Sequence, residues 1–243
     1  MSNIWGIAIP GLAMSAAELP DIDGLLRLEN PEIGSGPDWS GRDYSLIDVA
    51  AFHAENIAKL NLSKVMVIGM SMGSMIASII ASNFRQMLPK TSTFRLLVTS
   101  ANLPDCPAIT AQMLQEWSTA RRGDFESYKK VLSPFFSHDF TANQQDIVDQ
   151  YFAYRASGAN NQSTKNLFRQ IHAIQTFDGR SSWSQLNHAE VTVVGGGEDQ
   201  VLGPAHTIAL RQMAPLCTHH EIATLGHMVN LERADLFGFE MKL

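Results

Sequence analysis

The chain has 243 residues, of which 45% are apolar and 17% charged, a composition typical of an ordinary globular protein. Its 24 acidic and 18 basic residues give a net charge of −6, and Lys and Arg never cluster beyond pairs, which argues against a nucleic-acid-binding surface. The two cysteines, Cys106 and Cys217, are too few for a disulfide framework and suit a reducing compartment.

The first predicted element is a buried strand over residues 4–9, which Pro10-Gly11 ends. The segment around it, residues 1–17, is apolar and ends in small residues, as secretory signal peptides do. It lacks the positively charged region with which signal peptides begin. We therefore expect a cytoplasmic protein in which this segment forms a strand and a functional loop.

The next two elements differ in kind. Residues 20–43 are rich in Pro, Gly, Asp and Ser, which predicts one short strand near 25–28 followed by a loop. Residues 45–62 have apolar side chains at helical spacing and Asp48 in the first turn. This pattern predicts an amphipathic helix.

Residues 65–81, VMVIGMSMGSMIASIIA, contain no charge and allow two interpretations. One is a single apolar helix, in a membrane or a core, that packs through Gly69 and Gly73. The other is a buried strand at 65–68 that turns sharply into a helix. The run is barely long enough to cross a membrane and contains three serines, so we expect no membrane-spanning segment.

In the second interpretation Ser71 stands at the bend as a candidate nucleophile. So tight a turn requires small residues two positions before and two positions after the serine, and Gly69 and Gly73 meet that requirement. The amide of Met72 would then point at a developing oxyanion. Taken alone, a G-x-S-x-G pattern is only moderately specific.

The rest of the chain alternates between strands and helices. A strand is predicted at 94–99, and residues 104–186 then show helical spacing, in four separable helices, with no strand signal. Strands return at 191–194 and 220–223, with a helix near 204–213 between them and another from about 229. This alternation indicates a parallel α/β sheet. We predict a core of residues 1–103 and 187–243 that carries a helical insertion at 104–186.

A serine hydroxyl is a poor nucleophile at neutral pH, so it needs a base that an acid orients. In a strand–turn–helix arrangement of this kind both follow later strands, the acid first and the histidine second. Asp199 and His227 each come just past one of the last two strands, and they are the predicted acid and base. Glu198, beside Asp199, and Asp105, after the strand at 94–99, remain alternatives for the acid.

These motifs together resemble the α/β-hydrolase superfamily over nearly the whole chain. GMSMG, GGEDQVLGPAH and LGHMVNLERADLF stand in the family's order, and the last contains its G-H-x-x-x-x-E-x-x-x-x-F pattern. The chain is most similar to small capped carboxylesterases, such as pimeloyl-ester carboxylesterases and enol-lactonases. The resemblance implies an α/β fold whose mostly parallel sheet of about six strands is flanked by helices and carries a helical cap. The family's G-x-x-D spacing favours Asp199 as the acid.

The resemblance also implies that a backbone amide after the first strand helps to hold the oxyanion. Where the family usually has His-Gly, this chain has Pro10-Gly11-Leu12. The Leu12 N–H is therefore the predicted donor, without the histidine that orders the loop in relatives. Met70 and Ser74 stand where the family frequently has a histidine and a second glycine.

Several side chains are candidates for a substrate pocket. Met70 and Met72 flank the serine and are expected to line an apolar acyl site. Five aromatic residues of the insertion either roof the pocket or pack the cap against the core: Trp117, Phe135, Phe136, Tyr151 and Phe152. No pair of histidines has metal-ligand spacing, so no metal site is expected.

The sequence thus predicts a serine hydrolase that cleaves a small, largely apolar carboxylic ester, thioester or lactone through an acyl-enzyme. Ser71 attacks the carbonyl, His227 transfers the proton and Asp199 orients the imidazole, with no cofactor and with a small acyl compound as the partner. The same triad serves C–C bond hydrolases, acyltransferases and cofactor-free lyases, because fold does not determine reaction. A non-catalytic binding module of the same fold is the alternative from a different class.

Overall fold

A computed structural model describes residues 4–159, 162–186, 188 and 190–241. The predicted core and insertion also include residues 1–3, 160–161, 187, 189 and 242–243, which lie outside these ranges. Six strands form one sheet: Gly6–Ile9 (β1), Leu25–Arg27 (β2), Met66–Met70 (β3), Thr93–Leu97 (β4), Val191–Gly196 (β5) and Thr218–Ile222 (β6). All neighbours pair in parallel, in the order β2-β1-β3-β4-β5-β6. The predicted sheet is confirmed.

Ten α-helices lie within the described residues: Leu46–Lys59 (α1), Met72–Asn83 (α2), Ala111–Trp117 (α3), Phe125–Leu132 (α4), His138–Asn143 (α5), Gln145–Ser157 (α6), Thr164–Gln175 (α7), Arg180–Gln185 (α8), Pro204–Met213 (α9) and Val229–Glu232 (α10). The apolar run 65–81 is therefore not one helix, because β3 and α2 divide it. Within the part of the chain that the structure describes, no helix combines the length and apolarity needed to cross a membrane.

Both faces of the sheet are covered, as a parallel sheet requires. Successive side chains of a strand point to opposite faces, so β1 contributes to two separate clusters. Ile7 and Ile9 join a cluster that includes side chains of α1 and α2. Ala8 joins a second cluster, which includes Phe152 of α6 and Phe237 near the C-terminus. The carboxyl ends of the strands stay free to carry the loops that build the site.

In its described residues, the segment between β4 and β5 contains six α-helices where the sequence predicts four helices. The predicted four correspond to α3, α4, α6 and α7. The additional helices, α5 and α8, have only six residues each, too few for apolar periodicity to mark them. Helix α8 packs against α2 and α9, beside the sheet.

Candidate active site

Ser71 occupies the single position between β3 and α2. Its backbone has φ 54° and ψ −119°, a conformation that residues other than glycine rarely adopt. The Ser71 N–H donates to the carbonyl oxygen of Leu97 at 2.9 Å, which ties the turn to the end of β4. The surrounding sheet thus holds a strained turn in place, with the serine at the carboxyl edge of the sheet.

Gly69 and Gly73 leave the space that this turn requires. A Cβ on Gly69 would lie 2.3 Å from the carbonyl oxygen of Gly73, and one on Gly73 would lie 2.1 Å from the carbonyl oxygen of Ile9. Both obstacles are backbone atoms, which cannot rotate aside as a flexible side chain can. The glycines are therefore steric requirements of the bend and of the close approach of α2 to β1.

Gly73→Ala is expected to lower the free energy of unfolding by about 3 kcal/mol, because the added methyl group forces α2 away from β1. Urea unfolding of both proteins measures the difference. Gly41→Ala is the matched control, since a Cβ at Gly41 meets no atom within 4 Å. Its effect should stay within about 0.5 kcal/mol. Equal stability of the Gly73 variant and the native protein would contradict the steric role.

Ser74 links the turn at Ser71 to two strands. Its Oγ lies 2.6 Å from the carbonyl oxygen of Gly69 and 2.7 Å from that of Leu97, and the side chain is fully buried. One hydroxyl proton is shared between these two acceptors. The serine that stands in place of the family's frequent glycine therefore fastens the first turn of α2 to the ends of β3 and β4.

His227 lies between Ser71 and Asp199. Its Nε2 is 2.9 Å from Ser71 Oγ, and its Nδ1 is 2.8 Å from Asp199 Oδ2. The loops after β3, β5 and β6 meet here because parallel strands end at the same edge of the sheet. Only 4% of His227 and 3% of Asp199 are exposed, so the pair is almost free of competing water. The structure thus brings together the three residues that the sequence singles out.

The environment of Asp199 sets its charge and its direction. Burial raises the pKa of this carboxyl, but the neighbouring His227 and the hydrogen bonds that the carboxylate accepts outweigh it, and the pKa lies below its ordinary value. Oδ1 accepts from the amides of Val201 and Leu202, each at 2.8 Å. Oδ2 is left to accept Nδ1–H of His227. The other ring nitrogen, Nε2, is then the acceptor that faces the Ser71 hydroxyl.

The two alternative acids do not contact His227. The Glu198 carboxylate accepts from the backbone N–H of His138 at 2.6 Å and lies 3.2 Å from its Nδ1. Asp105 is exposed in the loop after β4. Among the three candidates, Asp199 is the one in hydrogen-bond contact with the imidazole.

Leu12 and Met72, whose amides are the predicted oxyanion donors, line the same cavity as Ser71 and His227. Met72 is the first residue of α2, so its N–H has no acceptor within the helix. Gly11 brings the loop after β1 against the turn at Ser71, since a Cβ on Gly11 would lie 3.3 Å from Ser71 Cβ. Within the described ranges neither amide donates a hydrogen bond to the protein. Both are therefore available to a ligand.

Side chains from distant elements order the loop after β1, which lacks the family's histidine. Asn30 Nδ2 donates to the carbonyl oxygen of Pro10 at 3.1 Å. Ala13, in the left-handed region at φ 61°, donates from its N–H to Gln170 Oε1 at 3.0 Å and accepts from Arg155 Nη1 at 2.6 Å. Sequence reasoning missed these partners because no local pattern marks a contact between residues so far apart in the chain.

His53 extends this network behind the loop. Asn30 Nδ2 is used by Pro10, so its Oδ1 accepts from His53 Nε2 at 2.9 Å. The imidazole is 1% exposed, and burial lowers its pKa to about 3. It is therefore neutral at physiological pH and carries its proton on Nε2.

Acidification is expected to destabilise the protein through His53. The unfolded chain binds this proton near pH 6.5, whereas the folded chain resists it until about pH 3, so stability falls as the pH drops below 6.5. The loss from His53 between pH 7 and pH 5 is about 2 kcal/mol. Urea unfolding of both proteins at pH 7 and at pH 5 measures how much stability each loses. The variant His53→Gln, which keeps a donor for Asn30, should lose less than the native protein by that amount. Equal losses in the two proteins would contradict the assignment.

Ser71 and His227 line a cavity of about 540 Å³. Met70, the predicted pocket residue, also lines it, together with Met72 and Met75. Unbranched methionine side chains adapt to ligands of different shape. The wall around the serine is thus largely apolar.

The five aromatic residues of the helical segment divide between the two predicted roles. Trp117, Phe135 and Tyr151 line the cavity. Phe136 and Phe152 are buried against each other, with ring centroids 5.7 Å apart, in the core that covers the sheet. The segment between β4 and β5 therefore contributes both to the cavity wall and to the packing beneath it.

A sequence model of the α/β-hydrolase fold matches residues 27–234. The chain belongs to the α/β-hydrolase family. Membership identifies it as a hydrolase enzyme and confirms the superfamily and the fold that the sequence predicts. A search of curated proteins found no match to this α/β hydrolase.

Solved structures share this hydrolase fold at low sequence identity. The enol-lactonase from Burkholderia xenovorans LB400 is 16% identical with a TM-score of 0.73, covering 97% of this chain and 88% of that one. The meta-cleavage product hydrolase from Pseudomonas fluorescens IP01 is 15% identical with a TM-score of 0.74, covering 98% and 89%. The N-formylmaleamic acid deformylase from Pseudomonas putida S16 is 20% identical with a TM-score of 0.68, covering 96% and 88%. These likenesses establish the fold, and the reaction has to be argued from the site.

Proposed function

We propose that this α/β hydrolase is a serine hydrolase that cleaves a small, largely apolar carboxylic ester, thioester or lactone through an acyl-enzyme. One observation carries the proposal: an unbroken series of hydrogen bonds runs from Ser71 Oγ through His227 to Asp199. Such a series supplies a nucleophile, a base and an orienting carboxylate.

In the acylation step, Ser71 Oγ bonds to the carbonyl carbon while His227 Nε2 accepts the hydroxyl proton. The carbonyl electron pair moves to its oxygen, and the amides of Leu12 and Met72 donate to that oxyanion. The carboxylate of Asp199 stabilises the imidazolium. His227 then returns the proton to the leaving group as its bond to the acyl carbon breaks.

The second half of the reaction repeats these roles with water. A water molecule bonds to the acyl carbon and gives a proton to His227, and the oxyanion forms again at the same amides. The Ser71 oxygen then leaves and takes the proton from His227. The carboxylic acid is released and the serine is regenerated.

The cavity supports the substrate class. Its lining near the nucleophile includes Leu12, Met72 and Phe135, which suit an apolar acyl group. A lactone is included because the structurally similar Burkholderia xenovorans protein is an enol-lactonase. We also propose that residues 104–186 act as a helical cap on a core of residues 1–103 and 187–243, since Trp117 and Tyr151 complete the cavity wall.

Labelling with a fluorophosphonate probe tests the proposal. The probe phosphonylates an activated serine, so the native protein should be labelled and Ser71→Ala should not. Absence of labelling in the native protein would argue against an activated serine. Labelling that persists in Ser71→Ala would assign the reactivity to another residue.

A further inference from the structure

The charged side chains that line the cavity are unevenly distributed. Among the described lining residues, Arg122 and Arg155 are the permanently charged ones, and no Asp or Glu occurs there. Asp199 contacts the far side of His227 and is not part of the wall. The lining therefore favours an anion over a neutral or cationic ligand.

Arg155, in the last turn of α6, pairs with Glu18 but uses only one of its three guanidinium nitrogens in contacts with the described residues. Its Nη1 lies 3.1 Å from Glu18 Oε1 and donates to the carbonyl oxygen of Ala13. Glu18 does not line the cavity. The remaining donors of Arg155, Nε and Nη2, have no protein partner among the residues that the structure describes. The guanidinium therefore retains hydrogen bonds that it can offer to a ligand.

Arg122 has no acidic partner in the described part of the chain. Its guanidinium lies against Gly158, whose carbonyl oxygen is 3.4 Å from Nη2. Gly158 caps the C-terminal end of α6, the helix that carries Arg155 in its last turn. Arg122 thus contacts the end of the helix that carries Arg155, and both side chains line the cavity. The long contact to Gly158 leaves most donors of Arg122 unused.

We propose that the cavity binds an acyl group that carries a carboxylate, with Arg122 and Arg155 holding that carboxylate while Ser71 attacks the ester carbonyl. This inference rests on the proposed serine-hydrolase function and narrows its substrate to monoesters, or the related thioesters and lactones, of dicarboxylic acids. Guanidinium groups suit this role because their paired N–H groups match the two carboxylate oxygens.

The test uses pairs of p-nitrophenyl esters that differ only in charge. p-Nitrophenyl hydrogen adipate carries a free carboxylate, and its methyl ester is the neutral match; suberate and sebacate pairs vary the spacing. The native enzyme should show a kcat/KM about tenfold higher for the anionic member of the best pair, equivalent to about 1.4 kcal/mol. In Arg122→Gln that ratio should fall by about tenfold, mainly through KM. Arg121→Gln removes the same charge from an exposed neighbour outside the lining and should keep the native ratio.

The outcomes separate this inference from the function on which it rests. Equal kcat/KM for both members of every pair in the native enzyme would overturn the carboxylate site and leave the serine hydrolase standing. An equal loss for both members in Arg122→Gln would overturn it as well, because Arg122 would then act only by capping α6. Failure to hydrolyse any of the esters would count against the proposed function itself, and the carboxylate site would fall with it.

Discussion

Ser71→Ala is expected to lower kcat for hydrolysis of p-nitrophenyl butyrate by about 10⁶-fold. Alanine keeps the turn but removes the oxygen that bonds to the carbonyl carbon, so His227 has no proton to accept. The proposed oxyanion donors, the amides of Leu12 and Met72, remain and should leave a small residual rate. Steady-state kinetics over a range of substrate concentrations, with the variant expressed and purified separately from the native enzyme, measures the effect.

Ser78→Ala is the matched control for this substitution. Ser78 lies on α2, the helix that follows Ser71; its Oγ donates to the carbonyl oxygen of Met75 at 2.7 Å, and it does not line the cavity. This variant should retain turnover close to that of the native enzyme. A Ser71→Ala variant whose kcat stays within about tenfold of native would contradict the assigned nucleophile.

Asp199→Asn is expected to lower kcat by about 10⁴-fold with little change in the fold. The carboxylate only accepts hydrogen bonds, whereas an amide nitrogen placed beside His227 would donate one to Nδ1. The imidazole would then carry its proton on Nε2, the atom that has to accept the proton of Ser71. Circular dichroism of the variant, compared with its kcat, separates this loss of the tautomer from loss of structure.

Glu198→Gln distinguishes the two neighbouring acids. Glu198 contacts His138 instead of His227, so its substitution should cost less than about tenfold in kcat. The reverse ranking, with Glu198→Gln severely impaired and Asp199→Asn active, would transfer the role of the acid to Glu198. Because the two residues are adjacent, any general effect on the loop appears in both variants.

Many features of the fold follow from short stretches of sequence. The strand at 65–68, Gly69 and the helix after them form one local unit, because a Cβ on Gly69 would meet the carbonyl oxygen of Gly73, four residues later. The requirement at Gly73 is tertiary, since the obstacle there is the carbonyl oxygen of Ile9 in β1. Asp199 and His227 can be placed from local patterns as well, because each follows a strand that its own residues mark. Since parallel strands end at one edge of the sheet, both residues are then expected at that edge. Short helices such as α5 could not be predicted, because six residues complete less than two turns.

The sequence by itself determined the parallel sheet, the sharp turn at Ser71 and the order in which the candidate acid and base follow, because each can be inferred from the order and local pattern of strands, turns and helices along the chain. The tertiary structure decided which acid faces His227, and it showed that Gln170 and Arg155 hold the loop after β1. It also placed Arg122 and Arg155 in one cavity. Such contacts join residues that are far apart in the chain, and only the packing of the sheet, its loops and the helices between β4 and β5 brings them together.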